Sequence, residues 1–397
     1  MFQKLVNHND DINRLVEIGY AVSFDSNYMV IRDIPYLDDN KKLKWGAIVT
    51  KLVDIDGKRV TQNDHQIFFA GSIPHNIDET PIGNLGGGLT QLALSEACQD
   101  VVVERSFSNK PKSTGKFKDF FEKIESYVAI ISGPAMELHN ADPYTWMSNQ
   151  GVAVDSVFKI NDTLTSRAEI TDLSAKFKND VVAVIGLGGT GSYVLDHIVK
   201  TPVKEVRGFD SKAYHVHNAF RSSGKMDTNE FGRSKAEVYQ ERYDNFREGL
   251  NLQSKYIDVW SGDDLEGVTF AFVCVDNGPS RSDIFDLLIS KKIPFIDVGM
   301  GLKRKGDGLN GMLRTTFFSV DKAQKMRDMG LCDLSDNPDD LYKTNIQIGE
   351  LNCLNACIAV VKFKQLRGFY DEEDPCYNLL LEISDLKIVG SSDVDED

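Results

Sequence analysis

The sequence has 397 residues, 41% of them apolar and 26% charged, as is typical of a globular protein with two or three domains. Its formal net charge of -15 argues against a broad surface for nucleic acid or for an anionic membrane, so we expect neither as a partner. The N-terminus becomes charged too soon for a signal peptide, and no apolar run approaches the roughly 18 residues of a transmembrane helix. Six scattered cysteines indicate a reducing compartment, and we expect a cytoplasmic protein.

Residues 1–155 predict a separate, smaller domain of mixed α+β type. Strand candidates lie at 28–34, 45–55 and 65–71, and an apolar face with helical spacing predicts a long helix over 117–133. This part of the sequence contains no combination of residues typical of catalysis. We therefore expect it to serve in recognition or scaffolding.

From Val181 onward, strand patterns and helix patterns alternate, beginning with the apolar run VVAVI at 181–185. Alternation of this kind predicts an α/β fold, a Rossmann-like, mostly parallel sheet with helices on both faces. We assign it residues 156–389. The last eight residues, GSSDVDED at 390–397, are acidic and predict a disordered tail.

Four glycines follow the first strand, at Gly186, Gly188, Gly189 and Gly191, and a helical pattern resumes directly after them. Glycines at this turn let a phosphate approach the N-terminus of the helix, where free N–H groups and the helix dipole favour an anion. By itself the motif fits an NAD enzyme, a flavin enzyme or an adenylating enzyme.

The polar residues beyond the second strand favour ATP over NAD. Asp210 ends that strand, where an acid can contact a ribose hydroxyl of any adenosine ligand. Asn218, Arg221 and Lys235 follow, and a dehydrogenase has no need of two cations and an amide there, whereas a triphosphate does. Asp276 ends the strand TFAFVCVD, a position suited to Mg²⁺.

Taken in order, these motifs resemble the ThiF/MoeB and ubiquitin-activating (E1-like) adenylyltransferases. The matching motifs are GLGGTGS at 186–192, the acid at 210, NxxR at 218–221, the lysine at 235 and CVDNxxxR at 274–281. The motifs HNAFR at 217–221 and NIQIxELNxLNA at 345–356, with the N-terminal domain, are similar to a bacterial branch associated with ubiquitin-like conjugation and antiviral defence.

The resemblance implies an enzyme that uses ATP and Mg²⁺ to adenylylate the C-terminal glycine of a ubiquitin-like protein. Onward transfer to an E2-like conjugating enzyme is also implied. Alternatives are an adenylyltransferase for a sulfur carrier or another substrate, and a non-catalytic partner subunit. The implied ATP ligands are the four glycines, Asp210 on the ribose, Asn218, Arg221 and Lys235 on the triphosphate, and Asp276 through Mg²⁺.

Two further features follow only from the resemblance. Arg167 matches an arginine that such enzymes insert into the partner subunit, which implies a homodimer in which Arg167 acts in trans. Cys332 lies where a cysteine commonly accepts the acyl group as a thioester, and Ser335 offers an oxyester instead. The absence of any covalent enzyme intermediate is the third possibility.

The cysteines also bear on metal binding. The paired CxxC motifs that hold zinc in many relatives are missing, so we expect no structural zinc. Cys353 and Cys357 lie four residues apart in a helical pattern and would supply at most two metal ligands. We interpret both as helix core.

Overall fold

The computed structural model describes residues 2–95, 98–146, 156–160, 162, 164–165, 168, 170–331 and 346–392. The chain divides into two compact units, Met1–Leu173 and Ser174–Asp397. This division lies later in the chain than the boundary at 155/156 that the sequence predicts.

The first unit is built on an antiparallel sheet. Its helices are α1 (Phe2–His8), α2 (Asp10–Glu17) and α3 (Phe120–His139). Its strands are β1 (Ala21–Asp25), β2 (Tyr28–Leu37), β3 (Leu43–Asp54), β4 (Val60–Gln62), β5 (Ile67–Ala70), β6 (Gly88–Leu89) and β7 (Arg105–Phe107). The order in the sheet is β1-β2-β3-β5-β7-β6, with β4 paired to β3. A short helix, α4 (Thr171–Ala175), spans the division between the units.

Helices α2 and α3 cover one face of this sheet and form its main core. Ile12 and Leu15 of α2 and Ile124 and Ile131 of α3 are buried in one cluster with side chains of β1, β2, β3 and β5. Helix α3 begins where the Asp119 carboxylate accepts a hydrogen bond from the Glu122 amide, an N-cap that satisfies a free donor. The long helix predicted from its apolar face is present, shifted toward the C-terminus.

The second unit is the larger and contains the alternating strands and helices. Its helices are α5 (Gly189–Val199), α6 (Val216–Ala219), α7 (Lys235–Asp244), α8 (Gly278–Ser290), α9 (Ala323–Asp328) and α10 (Gly349–Leu366). Its strands are β8 (Val181–Ile185), β9 (Glu205–Phe209), β10 (Leu250–Gln253), β11 (Phe270–Val273), β12 (Phe295–Lys305), β13 (Gly308–Phe318), β14 (Asn378–Glu382) and β15 (Lys387–Ser391).

These strands form one sheet in the order β10-β9-β8-β11-β12-β13-β14-β15. The first five are parallel, with Val182 opposite Val206 on one side and Ala183 opposite Ala271 on the other. The last three add antiparallel pairs. Because the chain runs outward in one direction from β8 and in the other from β11, a crevice opens between the carboxyl ends of these two strands.

Both faces of this sheet are covered, which is why the VVAVI run has no polar member. Val182 and Val184 point into a cluster with α5, α7 and α10, whereas Ala183 and Ile185 pack against α8 on the opposite face. All five residues of β8 are buried. The predicted Rossmann-like α/β fold, preceded by a smaller mixed domain, is confirmed.

The C-terminal end differs from the expectation. Strands β14 and β15 were not predicted, and Gly390 and Ser391, assigned to a disordered tail, instead pair with β14. The pairing of β15 with β14 depends on backbone hydrogen bonds, and these cannot be inferred from the acidic composition of the segment. Residues 393–397 of the predicted tail lie outside the described part of the chain.

Candidate functional site

A cavity of about 1700 Å³ lies at the carboxyl ends of β8, β9, β11 and β12. The predicted residues Gly186, Gly188 and Gly189, with Asp210, Asn218, Arg221, Lys235 and Asp276, all line it. The structure therefore brings together predicted residues from the ends of three separate strands and from the segment between β9 and α7. Open α/β sheets place their ligands at such a position.

The glycines in the loop after β8 have different physical roles. Gly186 has a φ of +94°, and a Cβ there would lie 2.8 Å from the carbonyl oxygen of Cys274, at the end of β11. A Cβ on Gly191 would lie 1.8 Å from the Gly186 carbonyl oxygen. Gly188, in contrast, has open space where a Cβ would be. Gly186 and Gly191 thus allow the turn itself, whereas Gly188 keeps the cavity wall open for a ligand.

Asp210 ties the glycine loop to the strand end beside it. Its carboxylate accepts hydrogen bonds from the amides of Leu187, at 2.9 Å, and Lys212, at 2.8 Å. Lys235 Nζ lies 3.2 Å from the same carboxylate, and both side chains are more than 90% buried. In this arrangement Asp210 positions the loop and the lysine, in addition to the ribose contact that the sequence predicts.

Arg221 also lines the cavity, and local hydrogen bonds hold its backbone in place. The Asn218 carboxamide oxygen accepts a hydrogen bond from the His215 amide, at 2.8 Å, and the Asn218 carbonyl accepts one from the Arg221 amide, at 3.0 Å. The Arg221 Nε is buried and makes no hydrogen bond with the described residues. A buried guanidinium donor without an acceptor is costly, so this atom suits an anionic ligand.

Asn352 is a site residue that our sequence reasoning did not assign, although it lies in the NIQIxELN motif. Its carboxamide oxygen accepts a hydrogen bond from Thr190 Oγ1, at 2.9 Å, and its nitrogen donates to the Arg221 carbonyl, at 3.4 Å. The group also fills the space where a Cβ on Gly189 would be. A buried asparagine on α10 thus joins the start of α5 to the segment that carries Arg221.

Asp276, just beyond β11, presents a half-exposed carboxylate to the cavity. Lys212 Nζ is 3.5 Å from one of its oxygens, in an ion pair whose lysine is two-thirds exposed. Mg²⁺ is bound in proteins through one or two carboxylates, with phosphates and water completing the shell. The donor set at this strand end therefore fits Mg²⁺ bound together with a nucleotide.

Asp297 is a second residue that sequence reasoning missed. It is fully buried on β12 and forms ion pairs with two arginines that line the cavity, Arg281 at 3.1 Å and Arg314 at 2.5 Å. Arg281 also donates to the Val275 carbonyl, at 2.6 Å. These contacts hold both guanidinium groups at the cavity wall. The sequence signal that could have indicated Asp297 is the presence of an acidic residue within the strand PFIDVG.

Burial shifts the pKa of several histidine and cysteine side chains of the second unit. Desolvation lowers the pKa of His217, and Arg221, His215 and Lys235 lower it further. Burial raises the pKa of the Cys274 thiol, with a smaller contribution from Asp297. Burial and Cys353 raise the pKa of Cys357 to about 11. The raised pKa values of Cys274 and Cys357 favour the protonated form, which is the less nucleophilic form of a thiol.

Three predicted residues lie outside the described part of the chain: Arg167, Cys332 and Ser335. Their roles as an arginine acting in trans and as alternative acyl acceptors stay predictions.

Two family models match this chain. One, a domain of unknown function (DUF6791), matches residues 10–163. The other, the ThiF family, matches residues 146–360, more than half of the chain. The chain belongs to the ThiF family. This membership confirms the predicted superfamily and identifies the chain as an ATP-dependent adenylyltransferase.

Solved structures of similar fold include crystal structures of E. coli MccB and of PaaA. MccB with AMPCPP and MccA is 14% identical, over 59% of this chain and 72% of that chain, with a TM-score of 0.45. MccB with ATP is 15% identical, over 58% and 72%, with a TM-score of 0.45. PaaA is 16% identical, over 56% and 75%, with a TM-score of 0.42. No curated protein matches the sequence.

None of the described helices combines the length and the hydropathy that crossing a bilayer requires.

Proposed function

We propose that this chain uses ATP and Mg²⁺ to adenylylate the C-terminal carboxylate of a ubiquitin-like protein. The observation that carries the proposal is the cavity itself, where Arg221, Lys235 and Asp276 converge on the glycine loop. Two cations, a carboxylate suited to Mg²⁺ and an open helix N-terminus are the groups that a triphosphate requires.

The charge distribution favours a polyanion. The Arg221 Nε has no acceptor among the described residues, and α5 directs its N-terminal amides toward the glycine loop. Lys235 is held at the cavity edge by Asp210, so its position is set before a ligand arrives. Preorganised cations of this kind stabilise a phosphate without further rearrangement.

The size of the cavity supports a second, extended substrate. Pockets for small ligands typically measure about 300–1,000 Å³, and this cavity is larger, at about 1700 Å³. Its far wall is formed by β12 and β13 and includes Gly299, Gly301, Met300 and Met312. A wall with small and flexible apolar residues suits the narrow, glycine-rich tail of a carrier protein.

The chemical step follows from these groups. A C-terminal carboxylate is already ionised near pH 7, so no general base is needed. One of its oxygens attacks the α-phosphorus, and the bond from that phosphorus to the bridging oxygen breaks. The products are an acyl-adenylate and pyrophosphate, which leaves with the bonding electrons. Arg221 and Lys235 neutralise the charge on the phosphates, and Mg²⁺ held by Asp276 would supply further charge neutralisation when bound.

Onward transfer is a separate part of the proposal. We propose that the acyl group passes to an E2-like conjugating enzyme, through a thioester on Cys332, an oxyester on Ser335 or directly from the adenylate. The homodimer with Arg167 acting in trans likewise stays a proposal that follows from the family resemblance.

A pyrophosphate-release assay tests the adenylylation. The substrate is a peptide that ends in Gly-Gly with a free carboxylate, and the matched control is the same peptide with a C-terminal amide. We expect pyrophosphate only with the carboxylate, because the amide has no anionic oxygen to attack phosphorus. Equal release with both peptides would contradict the proposed reaction.

Titration calorimetry separates the nucleotide from the carrier. We expect saturable binding of ATP with Mg²⁺, weakened in Asp276→Ala, and no binding of NAD⁺. ATP binding without any reaction on the peptide would direct the search to a different carboxylate. Binding of NAD⁺ would overturn the assignment of the cavity.

A further inference from the structure

Helices α5 and α10 bring together three side chains that the nucleotide site does not use. His197 lies in the last turn of α5, and Cys353 and Cys357 lie one turn apart on α10. The His197 Nε2 and the Cys357 Sγ are 3.4 Å apart, and all three potential ligand atoms lie within 4.8 Å of one another. All three side chains are half-buried.

This spacing matches shared coordination of one metal ion. In a tetrahedral zinc site the Zn–S bond is about 2.3 Å and the Zn–N bond about 2.0–2.1 Å, which separates an imidazole nitrogen from a thiolate sulfur by about 3.6 Å. The observed 3.4 Å is close to that value. Two thiolates and one imidazole are soft and borderline ligands, the set that selects Zn²⁺ over Mg²⁺ or Ca²⁺.

We propose that His197, Cys353 and Cys357 bind one Zn²⁺ ion and that this ion fastens α10 to α5. The fourth coordination position is left to water or to another oxygen ligand. The proposed site is distinct from the Mg²⁺ position at Asp276, because its ligands come from the two helices that cover one face of the sheet.

The surroundings of His197 support this arrangement. Its second ring nitrogen, Nδ1, lies 3.9 Å from a carboxylate oxygen of Asp196. That carboxylate is itself held by Lys200, at 2.7 Å, and by the Tyr243 hydroxyl, at 2.9 Å. Metal-bound histidines commonly direct their second nitrogen to a carboxylate, which orients the ring and raises its basicity.

The location gives the ion a structural consequence. Cys353 follows Asn352 directly on α10, and Asn352 is hydrogen-bonded to Thr190 near the start of α5. An ion between the two helices would therefore fix the segment that also supports the glycine loop. We expect its removal to lower the melting temperature of the protein, since metal binding adds to the free energy of unfolding.

Metal content is the direct test. The full chain is reduced, stripped of metal, incubated with Zn²⁺ alone, desalted and measured by atomic absorption. We expect one Zn²⁺ per chain in the wild type and at least about 100-fold weaker binding in the double variant Cys353→Ser/Cys357→Ser, because even second-shell changes cost 10–100-fold. The matched control is Cys376→Ser, which removes another half-buried cysteine of the same unit and should retain the ion.

Cobalt gives a second readout that needs no variant. Co²⁺ bound at this site should show intense thiolate-to-metal charge-transfer absorption and the visible bands of tetrahedral coordination, and Zn²⁺ should remove both. Absence of the charge-transfer band in the wild type would overturn the proposal, even if the double variant fails to fold. Equal zinc content in the wild type and the double variant, or loss of zinc in Cys376→Ser, would also overturn it.

Discussion

Each of the two units contains a buried arginine group, and these two groups differ in their partners. In the first unit, Arg32 and Asp100 form an ion pair at 2.8 Å with both side chains at least 95% buried, and Lys123 donates to Thr50 and to the Asp64 carbonyl. In the second unit, the Arg221 Nε is buried without an acceptor among the described residues. We interpret a buried charge that is neutralised by another protein group as serving the stability of the fold. A buried donor without an acceptor, beside a cavity, is instead available to a ligand.

The largest effect should follow from breaking the charge pair in the first unit. Asp100→Ala leaves the Arg32 guanidinium buried without its carboxylate, and we expect a loss of about 3–5 kcal/mol in the free energy of unfolding. Denaturant unfolding measures this loss. The matched control is Asp56→Ala, which breaks an exposed pair with Arg59 and should lower the free energy of unfolding far less. Similar losses in both variants would contradict the contrast.

Arg221→Ala should reduce activity but not stability, the opposite of what we expect for Asp100→Ala. We expect it to lower the rate of adenylylation by about 10²–10³-fold, as removal of a preorganised donor does, while the free energy of unfolding changes little. Pyrophosphate release and denaturant unfolding measure the two quantities. The control is Arg233→Ala, whose guanidinium is paired with Glu241 and does not line the cavity. An unstable but active Arg221→Ala would show that this arginine serves folding instead.

Two glycines of one motif, Gly188 before α5 and Gly191 in its first turn, allow the same comparison between ligand binding and stability. Gly188→Ala places a methyl group in open space at the cavity, so we expect an unchanged melting temperature and about tenfold weaker ATP binding, a change of 1.4 kcal/mol. Gly191→Ala would place its Cβ 1.8 Å from a backbone oxygen, so we expect a lower melting temperature. Thermal unfolding and calorimetry on both variants test this, and equal effects would remove the distinction.

The last prediction concerns a dependence on pH, which comes from the buried lysine of the first unit. Desolvation lowers the pKa of Lys123 from 10.5 to about 8. Below pH 8 both the folded and the unfolded chain carry the proton. Between pH 8 and 10.5 the unfolded chain binds more protons, so the free energy of unfolding rises with pH, by up to about 1.4 kcal/mol per unit.

Comparison with Lys123→Met isolates this lysine from other groups that titrate in the same range. Unfolding free energies measured between pH 7 and 10 should rise more steeply in the wild type than in the variant. Parallel curves would mean that the pKa of Lys123 is not lowered in the folded protein.

Most of the residues that line the candidate site could be predicted from short motifs. Gly186, Asp210 and Asp276 each end a strand whose apolar run is visible in the sequence, and parallel strands bring their carboxyl ends to one edge. Asn352 and Asp297 were missed because their role depends on packing. Asn352 contacts Thr190, which lies 162 residues earlier in the chain. Asp297 on β12 forms an ion pair with Arg314 on the neighbouring strand β13.

The sequence by itself determined the alternation of strand and helix patterns in the second unit, the glycine turn and the set of charged residues at strand ends. These are local properties, set by hydrophobic periodicity and by the backbone freedom of glycine. Only the tertiary structure decided which charges are completed by protein partners, and it alone placed His197 beside Cys357, 160 residues away. Partners of that kind depend on how α10 packs on α5, and no local pattern in the chain records that packing.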